Sequence, residues 1–453
     1  MSGTAAARGR RRRYLADAVV PCDEASAVHR PGVVDVEDGR IIWVGPADGA
    51  PAADGVGVEE TRLRGLLLPG LVNVHCHSPM TLLRGAGEGL VLDRWLREVL
   101  WPREALVTED DVYWGMTLAC AELLRFGVTT SCEMYVHEEA LIAAVRDAGS
   151  RCVVTGALLK APGWERFGSW ETQLARGAAL HDRHAGADDR VEVGFGPHAA
   201  YTLPVEALTA VAEAARERDA LLSIHVAESR EEGRDVEARH GMSVPALLAK
   251  AGVFDGRVLT AHSVWLTDDD LELYRRHDVA VAHCPTSNAK LASGIARLPE
   301  MLALGLRVGL GTDGPASNND LDLWEDMRLA ALLARLTSHD AAVLPAPDAL
   351  ALATRGGAAA LGRDDIGTLA PGCWADMVLV DLDDPGYVPV VDDPDLITHT
   401  VWSASSRLVT DVWVAGRRVV AEGRCLTVDA GEARAQVQRR AERLAGAAGD
   451  SGR

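Results

Sequence analysis

Pro69-Gly70-Leu71-Val72-Asn73-Val74-His75-Cys76-His77 is the stretch from which the rest of the chain can be read. A Pro-Gly turn opens it, an apolar run follows, and two histidines close it. Successive side chains of a strand point to opposite faces, so His75 and His77, two apart, turn both rings to one side. Two convergent imidazoles at the C-terminal end of a strand are a metal-binding geometry. Alone, H-x-H is a weak signal, and the pattern around it gives it weight. Leu71–His77 is the first of eight short apolar runs, the others being Val128–Met134, Arg151–Leu158, Val191–Pro197, Leu221–Val226, Val258–His262, Val279–Cys284 and Arg307–Gly311. Longer amphipathic stretches such as Val205–Arg216 and Ser243–Ala251 lie between them. Strands alternating with helices in this way predict an α/β chain with a parallel (β/α)8 barrel over residues 68–365. Most of the runs are apolar on both faces, as strands covered on both sides are.

The flanks read differently. Val33–Val36, Asp38-Gly39 and Ile41–Val44 form one strand-turn-strand pattern; Val409–Val414, Ala415-Gly416 and Arg417–Val420 form another, preceded by the strand-like run Asp376–Asp381. Such turns between β-branched runs signal hairpins. The two flanks, 14–67 and 366–430, are expected to pair into one small composite β-sandwich beside the barrel. Residues 431–453 read as a closing helix with a loose tail, and residues 1–13 as a disordered basic arm. No apolar stretch follows the arginines of that arm, so export is not expected.

The chain has 453 residues, with 46 Lys+Arg against 66 Asp+Glu and a net charge of −20. That balance disfavours nucleic acid or an anionic membrane as partner, because phosphate binding needs basic surface. No apolar run is long enough for a transmembrane helix. The eight cysteines are scattered without a C-x-x-C pair, which fits a reducing cytoplasm. Lysine occurs only at 160, 250 and 290, leaving few candidates for lysine chemistry.

Three later runs end in residues that complete the first. His225 closes the fifth run, in Ser223-Ile224-His225-Val226-Ala227-Glu228. His262 closes the sixth, and Asp313 follows the eighth in Gly311-Thr312-Asp313-Gly314. In a barrel all would stand at one rim, the rim that carries the chemistry of such enzymes. A His/His/His/Asp set around one cavity suits Zn²⁺ or Fe²⁺ with a position left for water.

These motifs, with His283-Cys284-Pro285-Thr286-Ser287-Asn288, Gly196-Pro197-His198, Leu92–Glu104 and Ala316-Ser317-Asn318-Asn319, resemble the amidohydrolase superfamily. Within it they look like the 5-methylthioadenosine/S-adenosylhomocysteine deaminase branch, over roughly residues 14 to 440. The resemblance implies a barrel with a composite β-sandwich and a homo-oligomer, dimer or tetramer. It makes His75, His77, His225 and Asp313 ligands of one divalent metal, Zn²⁺ before Fe²⁺. It makes Glu228 and His262 proton-transfer and polarising groups, with Asp313 accepting the proton of water. Glu104 and His198 become substrate contacts, and Trp101 could cap a purine ring or simply pack the core. No lysine lies near the fourth run, so one metal is expected rather than two.

The implied reaction is hydrolytic deamination of a small heterocycle, foremost a 5'-substituted adenosine, to the inosine analogue and ammonia. A triazine, guanine or pyrimidine hydrolase is the alternative, and a non-catalytic metabolite-binding barrel is a third reading. Relatives that take S-adenosylhomocysteine carry arginines after the third run to hold its carboxylate. Here the first such position aligns with Gly156 and the second near Ser169, with Arg166 as a candidate substitute.

Overall fold

The computed structural model describes residues 11–52 and 58–450, with side chains to residue 447. Eight strands, β5 (Leu71–Cys76), β6 (Val128–Glu133), β7 (Arg151–Leu158), β8 (Val191–Pro197), β9 (Leu222–Val226), β10 (Val258–His262), β11 (Ala280–His283) and β12 (Val308–Leu310), pair in sequence order. All pairings are parallel, with helices in the crossovers, as the alternation predicts. The last strand returns to the first: Asp313 N–H donates to the His75 carbonyl at 3.0 Å. Asn73 completes the closure, accepting from Thr312 N–H at 3.1 Å and donating to Thr312 Oγ1 at 2.8 Å. Gly311 allows that approach, since a Cβ there would sit 2.8 Å from His75 Cβ.

The other eight strands come from the flanks: β1 (Arg11–Val19), β2 (Gly32–Glu37), β3 (Arg40–Pro46), β4 (Val58–Pro69), β13 (Met377–Val380), β14 (Val409–Val414), β15 (Arg417–Ala421) and β16 (Arg424–Cys425). They form one mixed sheet, ordered β16-β15-β14-β13-β4-β1-β2-β3. The two flanks join where β4 pairs antiparallel with β13. The β3 end folds back on the segment before β13, where Ile41 N–H donates to Cys373 O and Gly372 N–H to Ile41 O, each at 2.8 Å. Tyr14, Val34, Ile41, Leu67, Met377 and Trp413 fill the apolar interior of this folded sheet.

Arg11, Arg12 and Arg13, expected in a disordered arm, belong to β1 instead. The reason is electrostatic: Arg13 forks onto the fully buried Asp35 with two bonds of 2.8 Å, and Arg11 binds the same carboxylate. The rest of that arm, residues 1–10, lies outside the described residues, as do 451–453 of the tail. The closing helix runs from Ala430 to Asp450 and lies on the helix Glu109–Arg125, with Arg440 on Asp110 and Arg443 on Asp111.

Barrel and flank sheet are joined by a buried ion pair. Arg151 at the start of β7 donates to Asp376 at 2.9 and 3.2 Å, and its remaining nitrogen donates to Asp189 O at 2.8 Å. Over the barrel mouth runs a segment with three left-handed glycines, Gly85, Gly87 and Gly89, followed by helical turns from Leu92 to Glu104. Residues Leu96–Leu100 form a π-helical turn, a local widening often found at functional sites. Among the described residues no helix is long and apolar enough to cross a membrane.

Candidate active site

His75 lies in β5 and His77 just past its end, so the strand's alternation brings the rings to 4.8 Å between centroids. His225 in β9 stands 4.9 Å from His75 and 5.3 Å from His77, and His262 ends β10 at 5.5 Å from His75. Asp313 sits in the loop after β12 with its Oδ1 3.2 Å from His77 Nε2 and 3.5 Å from His75 Nε2. The remaining oxygen, Oδ2, accepts from Ser287 at 2.7 Å and Ser317 at 2.6 Å. The carboxylate is thereby oriented with Oδ1 toward the histidines.

The hydrogen bonds settle which ring nitrogens face the centre. His77 Nδ1 donates to Met134 O at 2.6 Å, and His225 Nδ1 donates to His198 O at 2.8 Å. A carbonyl only accepts, so in the neutral rings both Nε2 atoms are bare lone pairs. They lie 3.2 Å apart, beside the Asp313 carboxylate, and the buried His75 Nε2 next to them has no hydrogen-bond partner. Lone pairs converging in this way repel unless a proton or a metal cation stands among them. The donor set is the nitrogen-and-carboxylate kind that divalent transition metals take, so the residues fit such an ion. Glu133, fully buried at the end of β6, braces the loop after His77 by accepting from Ser78 N–H at 2.8 Å and Ser78 Oγ at 2.6 Å.

Burial and charge shift the titrating groups here. Burial drives His75 down to about 4. Burial also opposes charge on His77, but the Asp313 carboxylate outweighs it and raises the ring to about 9. Burial would raise Asp313, yet its bonds to His75 and His77 hold it well below the usual carboxylate range. Burial raises Glu228 and lifts Glu104 to about 7. His198 is pushed down to about 3, by burial first and then by the neighbouring imidazoles.

Above the histidines opens a cavity of about 610 Å³, its mouth included. Glu228 enters it from the loop after β9, with Oε2 3.8 Å from His262 Nε2. His262 is oriented by its Nδ1, 2.9 Å from Asn288 Oδ1. Trp101 and Glu104 come down from the segment over the mouth, and His198 from the loop after β8. All nine candidate side chains therefore meet in or beneath one cavity.

Other residues singled out in the sequence do not enter it. Lys290 bonds Ala316 O at 3.2 Å and Lys160 is exposed, so neither reaches the histidine cluster. Asn318 braces its own loop, donating to Thr312 O at 2.9 Å and Asp326 at 3.2 Å. Arg166 donates to Val107 O and lines an outer cleft with Arg176 and Arg183. Gly156 is not the place of a lost arginine clamp. A Cβ there would point at Glu138, 2.5 Å from Oε1, whereas Ala157 and Leu159 line the cavity. The sequence reading missed Ser287, Ser317, Glu133, Trp164, Tyr135 and Tyr201. Ser287 and Ser317 stood inside quoted motifs, and Glu133 is a lone carboxylate in an apolar run, which was the available signal.

The amidohydrolase family model matches residues 66–419. A 5-methylthioadenosine/S-adenosylhomocysteine deaminase of Pelotomaculum thermopropionicum is 39% identical over 428 residues, 94% of this chain and 97% of that protein. A 5'-deoxyadenosine deaminase of Methanothermobacter thermautotrophicus is 39% identical over 398 residues, 87% of this chain and 90% of that protein. A crystal structure of an adenosine deaminase from Xanthomonas campestris with bound zinc superposes with a TM-score of 0.90 at 34% identity, covering 96% of this chain and 98% of that one.

Proposed function

The chain belongs to the amidohydrolase family, and from that premise we propose that it is a metal-dependent hydrolase deaminating an adenine-type nucleoside to the inosine analogue and ammonia. One observation carries the reading: a His/His/His/Asp cluster lies at the base of a cavity that also holds a buried Glu228 beside His262. By the resemblance, and with their donor atoms within 3.2–3.5 Å of one another in pairs, His75, His77, His225 and Asp313 would hold one divalent ion, Zn²⁺ foremost, with Fe²⁺ suited to the same donors. When bound, the ion supplies the Lewis acidity that makes water a nucleophile at neutral pH.

The chain's own residues do the rest. Glu228, whose carboxyl burial raises above its usual range, donates to the ring nitrogen next to the attacked carbon and takes a proton back from the new hydroxyl as ammonia leaves. His262 faces Glu228 and polarises the oxygen that forms on that carbon. Asp313 takes the proton of the attacking water on Oδ1, since Oδ2 is held by the two serines, and passes it to the leaving amine. Glu104 accepts from the ribose hydroxyls, and Trp101 covers the purine ring. His198, uncharged at neutral pH, contacts the substrate without repelling the ion.

The favoured substrates carry an uncharged 5' group. Ala157, Leu159, Trp164 and Leu96 make the wall apolar, and Arg166 is turned to Val107 O. Release of ammonia by the Zn²⁺-loaded protein from adenosine, 5'-deoxyadenosine, 5-methylthioadenosine, S-adenosylhomocysteine, guanine, cytosine and a triazine tests this. Turnover of neutral adenosines above S-adenosylhomocysteine is expected. Silence on every adenosine overturns it.

By the same resemblance the working unit is a homo-oligomer, dimer or tetramer, in the cytoplasm. Residues 68–365 serve as the catalytic unit, with 14–67 and 366–430 as its frame. A small molecule is the partner, and the net charge of −20 supports the exclusion of nucleic acid and anionic membrane.

A further inference from the structure

The loop that carries Glu228 is held by a second carboxyl group. Ala227 adopts a left-handed backbone, φ 50°, directly after β9. An alanine gains nothing from that conformation, so the turn needs support from elsewhere. Glu232 supplies it: its Oε2 accepts from Glu228 N–H at 2.9 Å. Ser229 Oγ accepts from Glu232 N–H at 3.2 Å in return. Ser229 thus caps the start of helix Arg230–His240, while the Glu232 carboxyl reaches one residue further back, to Glu228.

Capping alone does not account for where this residue lies. A capping glutamate serves equally well at the surface, yet Glu232 is 5% exposed and its Oε1 has no partner. Only Glu232 and Val236 of that helix are buried. Burying a carboxyl at one of two inward positions costs stability that an apolar side chain would not. The cost is explained if the group sets the direction of its neighbour. Tyr201, which lines the cavity, also lines the outer cleft that Glu232 borders with Arg97 and Arg239.

We propose that Glu232 is a positioning residue for the deamination: its carboxyl anchors the backbone N–H of Glu228 and so aims that side chain at the substrate ring. This rests on the role given to Glu228 above. The side chain of Glu232 lines that outer cleft and is not itself placed against substrate.

The test uses the full-length Zn²⁺-loaded protein and four variants: Glu232→Ala, Glu232→Gln, Glu228→Gln and Glu228→Ala. Glu232→Gln keeps an oxygen for Glu228 N–H, and every variant keeps the backbone N–H that Ser229 Oγ caps. We expect Glu232→Ala to lower kcat by about a hundredfold, the scale of one misplaced proton donor, with KM and zinc content unchanged. Glu232→Gln restores kcat to within about fivefold of the parent. Hydrogen exchange at the Glu228 amide accelerates in Glu232→Ala and not in Glu232→Gln. A Glu232→Ala protein that unfolds more easily but keeps its kcat reduces Glu232 to a cap and overturns the proposal. So does Glu232→Gln as slow as Glu232→Ala with the amide still protected. Glu228→Gln and Glu228→Ala separate the two levels: full turnover in both sinks the role of Glu228, whereas their loss beside an active Glu232→Ala sinks only that of Glu232.

Discussion

Replacing Ser287 and Ser317 with alanine should weaken metal binding, and only Ser317 of the two also lines the substrate cavity. Both hydroxyls donate to Oδ2 of Asp313, at 2.7 and 2.6 Å, and this leaves Oδ1 for the histidine side. A hydrogen bond to a charged group contributes about 1.5–3 kcal/mol. At about 1.4 kcal/mol per factor of ten, one lost serine corresponds to roughly 10- to 150-fold in an equilibrium constant. Partners of metal-ligating groups typically cost about 10–100-fold when removed, which is the same range. The two bonds share one oxygen, so the double variant should lose less than the product of the single losses. The assay is competition for Zn²⁺ against a chelator of known affinity, beside melting curves of the metal-free proteins. A double variant that binds Zn²⁺ within about threefold of the parent would refute the reasoning, because Asp313 would then be oriented without its serines.

Three further outcomes follow from other parts of the molecule. Arg151→Met leaves the Asp376 carboxylate buried without its partner, so stability in urea should fall by about 3–5 kcal/mol while kcat of the folded enzyme stays unchanged; an unmoved midpoint contradicts this. Burial lifts Asp326 from 3.8 to about 8, so the folded state loses stability as pH climbs through that window, the unfolded chain having already released its proton. Asp326→Asn cannot titrate, and its urea midpoint should gain on the parent's between about pH 5.5 and about pH 8.5; parallel pH profiles would show that the carboxyl is ionised throughout. Trp101→Ala should raise KM for adenosines by roughly 5- to 150-fold, the value of one base–aromatic stack of about 1–3 kcal/mol, and an unchanged KM would make Trp101 a core residue only.

Much of the site was legible because strand chemistry is periodic. His75 and His77 announce a shared face two residues apart, and His225 and His262 stand at the ends of apolar runs that could be counted. The supporting residues had no such signature. Glu133 acts on Ser78 across 55 residues, and Asn73 on Thr312 across 239, so neither partner can be named from spacing. Loops were least legible. Gly156 aligned with a substrate-binding position, yet its backbone faces Glu138, because one residue of register in a strand turns a side chain to the other face.

The sequence by itself determined the eight-strand alternation, the histidines and aspartate at the strand ends and the amidohydrolase family, since these depend on local periodicity and on which residue types recur at one rim. Only the tertiary structure decided that Arg11–Arg13 pair into a sheet around Asp35, that two serines hold Asp313, and that a buried Glu232 supports Glu228. Each of these depends on bringing charged or polar groups together out of water. The free energy of doing so is set by burial and distance, which no single stretch of sequence encodes.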